Sequence, residues 1–215
     1  MTCSTVIDEI LGKRKLKVSG KKQTVLRYGV GIMDAPFRTQ WVENGKNVHD
    51  KAYTAWHCML QRCYSKGFLD KHPTYMGCCV CEEWLTFSCF DKWFLENYVD
   101  GFQLDKDILV SGNKIYSPDT CLFVPGWVNK FIADSGATRG EYPIGVCKFA
   151  GNKIKARCRQ PNKKSYHLGV FKTVEDAYDA WLRAKLEVLE FYKQSLDEID
   201  NRLYSCLKAK ILSLK

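Results

Sequence analysis

Long apolar runs are missing from this 215-residue chain. The longest, such as Cys121–Pro125 and Ile144–Cys147, fall far below the ~18 consecutive apolar residues that a membrane span needs. The opening Met1-Thr2-Cys3-Ser4-Thr5 has no basic patch leading into an apolar core, so a secretory leader is not expected. Internal repeats and low-complexity tracts are absent as well. The glycine-rich Tyr28-Gly29-Val30-Gly31-Ile32 lacks G-x-G-x-x-G spacing and a helix after it, which rejects a nucleotide-binding loop. With 46% hydrophobic, 13% aromatic and 27% charged residues, the chain is too apolar for disorder. At ~100–200 residues per domain it should form one or two compact units. A soluble, cytoplasmic protein with no membrane partner is expected.

Cysteine, by contrast, is abundant. Eleven residues (3, 58, 63, 78, 79, 81, 89, 121, 147, 158 and 206) make an odd count, which argues against a disulfide framework where no leader is present. A structural zinc site is the sharper alternative, because Cys58, Cys63, His72, Cys78, Cys79 and Cys81 share one stretch. Yet Cys78-Cys79-x-Cys81 is not the C-x₂₋₄-C pair that closes a tetrahedral site, and no second pair follows. Several of these cysteines fall where a buried apolar residue belongs, and a free thiol packs as a small hydrophobe. Reduced, buried thiols are the better reading.

The net charge of +9 is unevenly placed. Residues 1–50 carry net +4, residues 51–135 net −2 and residues 136–215 net +7. Between Arg139 and Lys172 nine cations meet one acid, Glu141. A merely solvated surface interleaves the signs. A one-sign block that also reads as structured points to a polyanion partner, against the blander reading of a solvated basic face. Residues 13–17 and Lys21-Lys22 form a smaller basic segment, read as an arm on phosphates or as a solvated strand edge.

The block resolves into three short strands and a helix. Tyr142–Phe149 is β-prone, with Pro143 confined to its start. Lys153–Arg159 alternates strictly, with Lys153, Lys155, Arg157 and Arg159 on one phase and Ile154, Ala156 and Cys158 on the other. Period two buries one face and leaves a row of four positive charges on the opposite one. Tyr166–Phe171 follows, and Thr173 is a good N-cap with Glu175 and Asp176 in the first turn. The helix after it puts Ala177, Trp181, Ala184, Val188 and Phe191 on one stripe, expected to cover the sheet.

These residues carry a resemblance. Gly145-Val146, the basic second strand and Leu168-Gly169-x-Phe171-x-Thr173-x-Glu175-x-Ala177-x-x-Ala180-x-x-x-Ala184-Lys185 resemble an APETALA/ethylene-response-factor type DNA-binding domain over about residues 142–192. The resemblance implies a three-stranded antiparallel sheet laid in the major groove of duplex DNA, with one long helix behind. On this chain Arg139, Lys148, Lys153, Lys155, Arg157, Arg159, Lys163, Lys164, His167 and Lys172 would then meet DNA. Arg157 and Arg159 suit guanine edges, because a guanidinium can bond O6 and N7 together, and the lysines suit phosphates. The family's sheet tryptophans are lacking.

Upstream, Trp56, Met59, Arg62 and Cys63 lie at helical spacing. Tyr75–Cys81 reads as a short strand, Trp84–Phe94 as a second helix and residues 127–132 as a short helix. With Leu104-Asp105-Lys106-Asp107, Tyr116-Ser117-Pro118, Cys121 and Asn129, this succession resembles phage HNH-type homing endonucleases, whose ββα hairpin holds a divalent metal. The resemblance implies Mg or Mn on Asp105 or Asp107 with Asn129. A histidine should stand beside the first ligand as general base, but Lys106 occupies that place; His72 is the candidate to be brought in by folding.

The expected fold class is α+β: a ββα HNH-like module plus a three-stranded antiparallel sheet on one long helix. Expected boundaries are a basic N-terminal segment at 1–50, the HNH-like module at 51–135, the DNA-binding domain at 136–194 and a C-terminal helix at 195–215, either packed on the body or serving a homodimer. Two functions compete. One is a DNA-binding protein of homing-endonuclease descent with metal-dependent phosphodiester hydrolysis, acting in a host cytoplasm if phage-encoded; the other is a non-catalytic DNA-binding regulator or host-factor interaction protein.

Overall fold

The computed structural model describes residues 3–17, 26–133, 141–161 and 164–214. It is a mixture of helices and small sheets, an α+β protein. The chain divides into two compact units, Met1–Asp107 with Gly112–Phe123, and Ile108–Ser111 with Val124–Lys215. No helix among the described residues is long and apolar enough to cross a membrane.

The first unit is organised by aromatic packing. Helix Lys51–Tyr64 buries Ala52, Trp56, Met59, Leu60 and Cys63, the stripe its 3.6-residue period dictates. The side chain of Asp50 starts it by accepting a hydrogen bond from the Tyr53 amide at 3.0 Å. Trp84, Phe87, Phe90 and Phe94 close the core, and the Trp56 indole N–H donates to the Trp84 carbonyl at 2.7 Å. Helix Cys3–Gly12 adds Val6 and Ile10 to the same core.

Two local expectations change. The Tyr75–Cys81 segment is extended only at Cys79–Val80, which pairs in parallel with Ile115–Tyr116. Pro73, with its fixed φ, instead starts a single 3₁₀ turn over Pro73–Tyr75. The second helix likewise splits into a 3₁₀ turn at Glu83–Leu85 and an α-helix over Phe87–Asn97. Strand Phe102–Asp105 pairs with Leu122–Pro125, which leads directly into helix Gly126–Ile132.

The second unit holds the basic block. Strands Val146–Lys148, Ile154–Cys158 and Tyr166–Phe171 form one antiparallel sheet with Ile154–Cys158 in the middle. Val146, Ile154, Ala156 and Cys158 are buried against Ala177, Trp181 and Ala184 of helix Val174–Phe191. Thr173 caps this helix, accepting from the Asp176 amide at 3.1 Å. The helical stripe ends earlier than its period suggests. Val188 is buried but Phe191, in the last helical position, is 81% exposed, while Lys185 and Leu189 are buried in its stead. The C-terminal segment is two helices, Lys193–Asp197 and Leu203–Ser213, which bury Leu196, Leu203, Leu207 and Ile211.

Gly145 fixes how closely helix and sheet approach. A Cβ there would lie 2.0 Å from Cδ1 of Trp181, and φ is +78°. Only glycine meets both conditions.

Candidate nucleic-acid interface

The middle strand is the origin of the site. Its burial alternates without exception: Ile154, Ala156 and Cys158 are buried, Lys155 is half-exposed and Arg157 exposed. Lys153 and Arg159, flanking the strand, are exposed too. The pleat therefore sends the apolar set to the helix and the cations to the opposite side. None of the four is ion-paired among the described residues, although acids are plentiful elsewhere in the chain.

The neighbouring strands complete this face. Cys147 lies across from Lys155 on one side and Val170 on the other, both exposed. Exposed His167 lies across from Arg157. The Phe149 amide donates to the Lys153 carbonyl at 2.9 Å, and the Lys155 ammonium is 5.3 Å from the Phe149 ring centroid. Phe149 is itself 43% exposed. The face is therefore cationic with an aromatic and an aliphatic patch, a composition that suits phosphates beside base edges and thymine methyls.

A bulge between Ala156 and Arg157 shifts the pairing, so that Gly169 opposes Ala156 while His167 opposes Arg157. Gly169 takes φ +148° beside it. Such an irregularity bends and twists the strand, re-aiming the side chains beyond it. Arg159 lies past the strand end, and with Lys164 it belongs to a cleft next to the face.

Other residues of the expected interface are placed differently. Lys148 pairs with Ile154 in register, so it shares the pleat phase of the helix side; it is exposed because it ends the strand. Cys147 occupies the outward position instead. Lys172 is exposed between the third strand and the helix cap. Arg139 and Lys163 lie outside the described residues.

Of the basic segment near the N-terminus, Lys13, Arg14 and Lys17 are committed internally, and Lys21 and Lys22 lie outside the described residues. Arg14 Nε donates to Asp50 Oδ2 at 2.9 Å, and its Nη1 donates to Asp91 Oδ2 at 2.8 Å. The Lys17 ammonium donates to the Ala35 carbonyl at 2.7 Å, and Lys13 pairs with Glu9 and Glu43. Arg14 is a core ion pair rather than part of an arm. No local pattern announces this, because its partners lie 36 and 77 residues away.

The expected metal positions Asp105, Asp107 and Asn129 all have partners within the chain. Asp105 Oδ1 accepts from the Asp107 amide at 2.9 Å. Asp107 Oδ2 accepts from the Lys106 ammonium at 3.1 Å, and the same ammonium donates to the Asn113 carbonyl at 3.1 Å. Lys106 is 7% exposed. A buried, fixed cation beside the carboxylate supplies the charge a divalent ion would bring, and repels that ion. Asn129 lies in helix Gly126–Ile132 of the second unit. Asp105 and Asp107 are thus engaged by the Asp107 amide and the Lys106 ammonium.

His72 is exposed at the start of the 3₁₀ turn, with its ring 4.4 Å from that of Phe68. His57 is the more enclosed imidazole. Its Nε2 is 3.0 Å from the Tyr28 hydroxyl, and burial, then Arg27 and His49, hold its pKa below the ordinary value.

The ten cysteines whose side chains are described are unbridged, and no group of three His, Cys, Asp or Glu among the described residues is arranged to hold a metal. Burial, with Cys78 and Cys79 next in weight, pushes Cys63 up to about 12, and burial does the same to Cys121. Such thiols stay protonated and pack as hydrophobes. Comparison with protein-family models, with curated proteins and with solved structures gives no match.

Proposed function

We propose that the chain binds duplex DNA, with the outward face of the three-stranded sheet laid in the major groove and helix Val174–Phe191 behind it. One observation carries the reading. Lys153, Lys155 and Arg157 leave the same side of one strand, and no acid of the described residues neutralises them. Unpaired cations held in a row at strand spacing are costly to leave without counter-ions, and a nucleic-acid backbone releases its own on binding them. Arg157, opposite His167, would read a guanine edge, and Lys153 and Lys155 would hold phosphates.

The strand–strand–helix order of Phe102–Asp105, Leu122–Pro125 and Gly126–Ile132 supports an HNH-like descent for the segment before the sheet. Lys106 against Asp107 favours a scaffold role there over hydrolysis. A hydrolytic protein would nick plasmid with Mg²⁺ or Mn²⁺ and lose that activity in Asp107→Ala. The scaffold reading expects binding without nicking.

The face is tested by salt titration. Lys155→Ala with Arg157→Ala should weaken duplex binding roughly 10–100-fold and reduce the log–log salt slope by about one to two. An unchanged slope in the double variant would remove this face from the interface.

A further inference from the structure

Beside the sheet face, the second unit contains a cleft of about 510 Å³ lined by Trp127, Lys130, Phe131, Arg159, Lys164 and their neighbours Gln160, Pro161 and Ser165. Three of these side chains are cations and none is an acid. Gln160 and Ser165 offer hydrogen-bonding groups. Half-buried Trp127, its ring centroid 4.9 Å from that of Tyr192, is the indole in this lining.

A further positive charge lies behind the wall. Lys185 is 3% exposed, its ammonium donates to the Phe131 carbonyl, and it stands 3.6 Å from the centroid of the Phe131 ring. Its only hydrogen-bond partner among the described residues is that neutral carbonyl, and no acid of the described residues pairs with it. The cleft thus joins an aromatic plate to an excess of positive potential. A duplex backbone alone uses the second feature and has no use for the first. A stacked base is what an indole beside cations selects, since every base has a π-face and carries a phosphate next to it. The volume also falls in the range of small-ligand pockets.

We infer that this cleft takes one unpaired nucleotide, its base against Trp127 and its phosphate between Arg159, Lys164 and Lys130, so that the protein prefers duplex DNA carrying an unpaired residue. The inference rests on the duplex-binding reading, since Arg159 joins the cleft to the basic strand. It divides the expected row of four cations into three for the groove and one for the extruded nucleotide.

Affinity for three DNAs of equal length tests it: a blunt duplex, the same duplex with one bulged nucleotide, and the same duplex with an abasic bulge. The full-length protein should bind the base-bearing bulge about tenfold more tightly than the blunt duplex, the discrimination expected of one stacked base. Removing the base from the bulge should erase the preference. Trp127→Ala should erase it too, with blunt-duplex affinity changed less than about twofold. Because Trp127 also packs on its neighbours, Lys130→Glu with Lys164→Glu, both at exposed positions, provides a second variant that must reduce the preference. Equal, tight binding of all three DNAs by the unaltered protein overturns the cleft and leaves the sheet reading standing. Binding of the bulged DNA without measurable binding of the blunt duplex supports the cleft and overturns the sheet reading. Binding of none overturns both.

Discussion

Gly145 and Lys185 show how single positions set the second unit. A Cβ at Gly145 would drive into the Trp181 indole from a backbone already at φ +78°. Gly145→Ala should therefore destabilise the sheet-and-helix unit by about 2–4 kcal/mol, as overpacking and left-handed strain combine. Denaturant unfolding followed by Trp fluorescence reads it, and a loss below about 0.5 kcal/mol would mean the helix simply moves away. Lys185 makes a different statement. Burial lowers its pKa to about 8, with Cys158 opposing this and the nearby Arg159 charge adding to it. Below about pH 8 the lysine is protonated both folded and unfolded, and its burial costs stability in full. Between about 8 and 10.5 the unfolded chain keeps a proton the folded chain has released, so stability rises with pH. Relative to Lys185→Met, the unaltered protein should gain up to about 3 kcal/mol over that interval. Burial raises the Cys158 thiol and the Lys185 charge lowers it, so both proteins should carry Cys158→Ala to keep this opposing, coupled titration out of the difference. Parallel stability curves for the two would show that the folded lysine keeps its proton.

Elements differ in how much of them the sequence declares. The middle strand was fully legible, because period-two alternation is a local pattern that survives any packing arrangement, and Lys153 to Arg159 follow it to the residue. The helix after Thr173 was legible for the same reason, up to the point where its end left Phe191 in solvent. Lys148 was assigned to the face by the family resemblance alone; its pairing with Ile154 puts it half a period out of the row. The cleft was not legible at all, since Trp127, Lys130 and Arg159 come together only through tertiary packing. Arg14 belongs to the same class. It ties the stretch after the first helix to the cap of helix Lys51–Tyr64, and Arg14→Met would strand two carboxylates of which Asp50 is fully buried. We expect a loss of about 3–5 kcal/mol from the first unit, against less than about 0.5 kcal/mol for Lys15→Ala at the exposed neighbouring position. Chemical labelling reports on the sheet as an element. Cys147, exposed across from Lys155, should be shielded from iodoacetamide by duplex DNA while Cys89 in the first unit is not, with mass spectrometry identifying each site.

At the scale of the whole molecule, charge and chemistry are segregated. The largest positive excess lies in residues 136–215, and the Asp107 carboxylate is already paired with the Lys106 ammonium. Adding a chelator should therefore leave DNA affinity within about twofold, while raising salt from about 50 to 200 mM should lower it by orders of magnitude. The reverse pattern would place a metal ion in the interface and the sheet outside it.

The two units are also threaded through each other along the chain, since Ile108–Ser111 belongs to the second although Gly112–Phe123 returns to the first. Ile108 is buried, and the Cys206 thiol donates to the Leu109 carbonyl at 3.6 Å, so the C-terminal helix region depends on four residues lent from far upstream. No single cut can separate the halves intact: a fragment beginning at Val124 forfeits the lent loop, and one beginning at Ile108 drags along a strand torn from the other core. Anyone trimming this protein for crystallography or gene fusion must graft that loop back in, or keep the whole polypeptide.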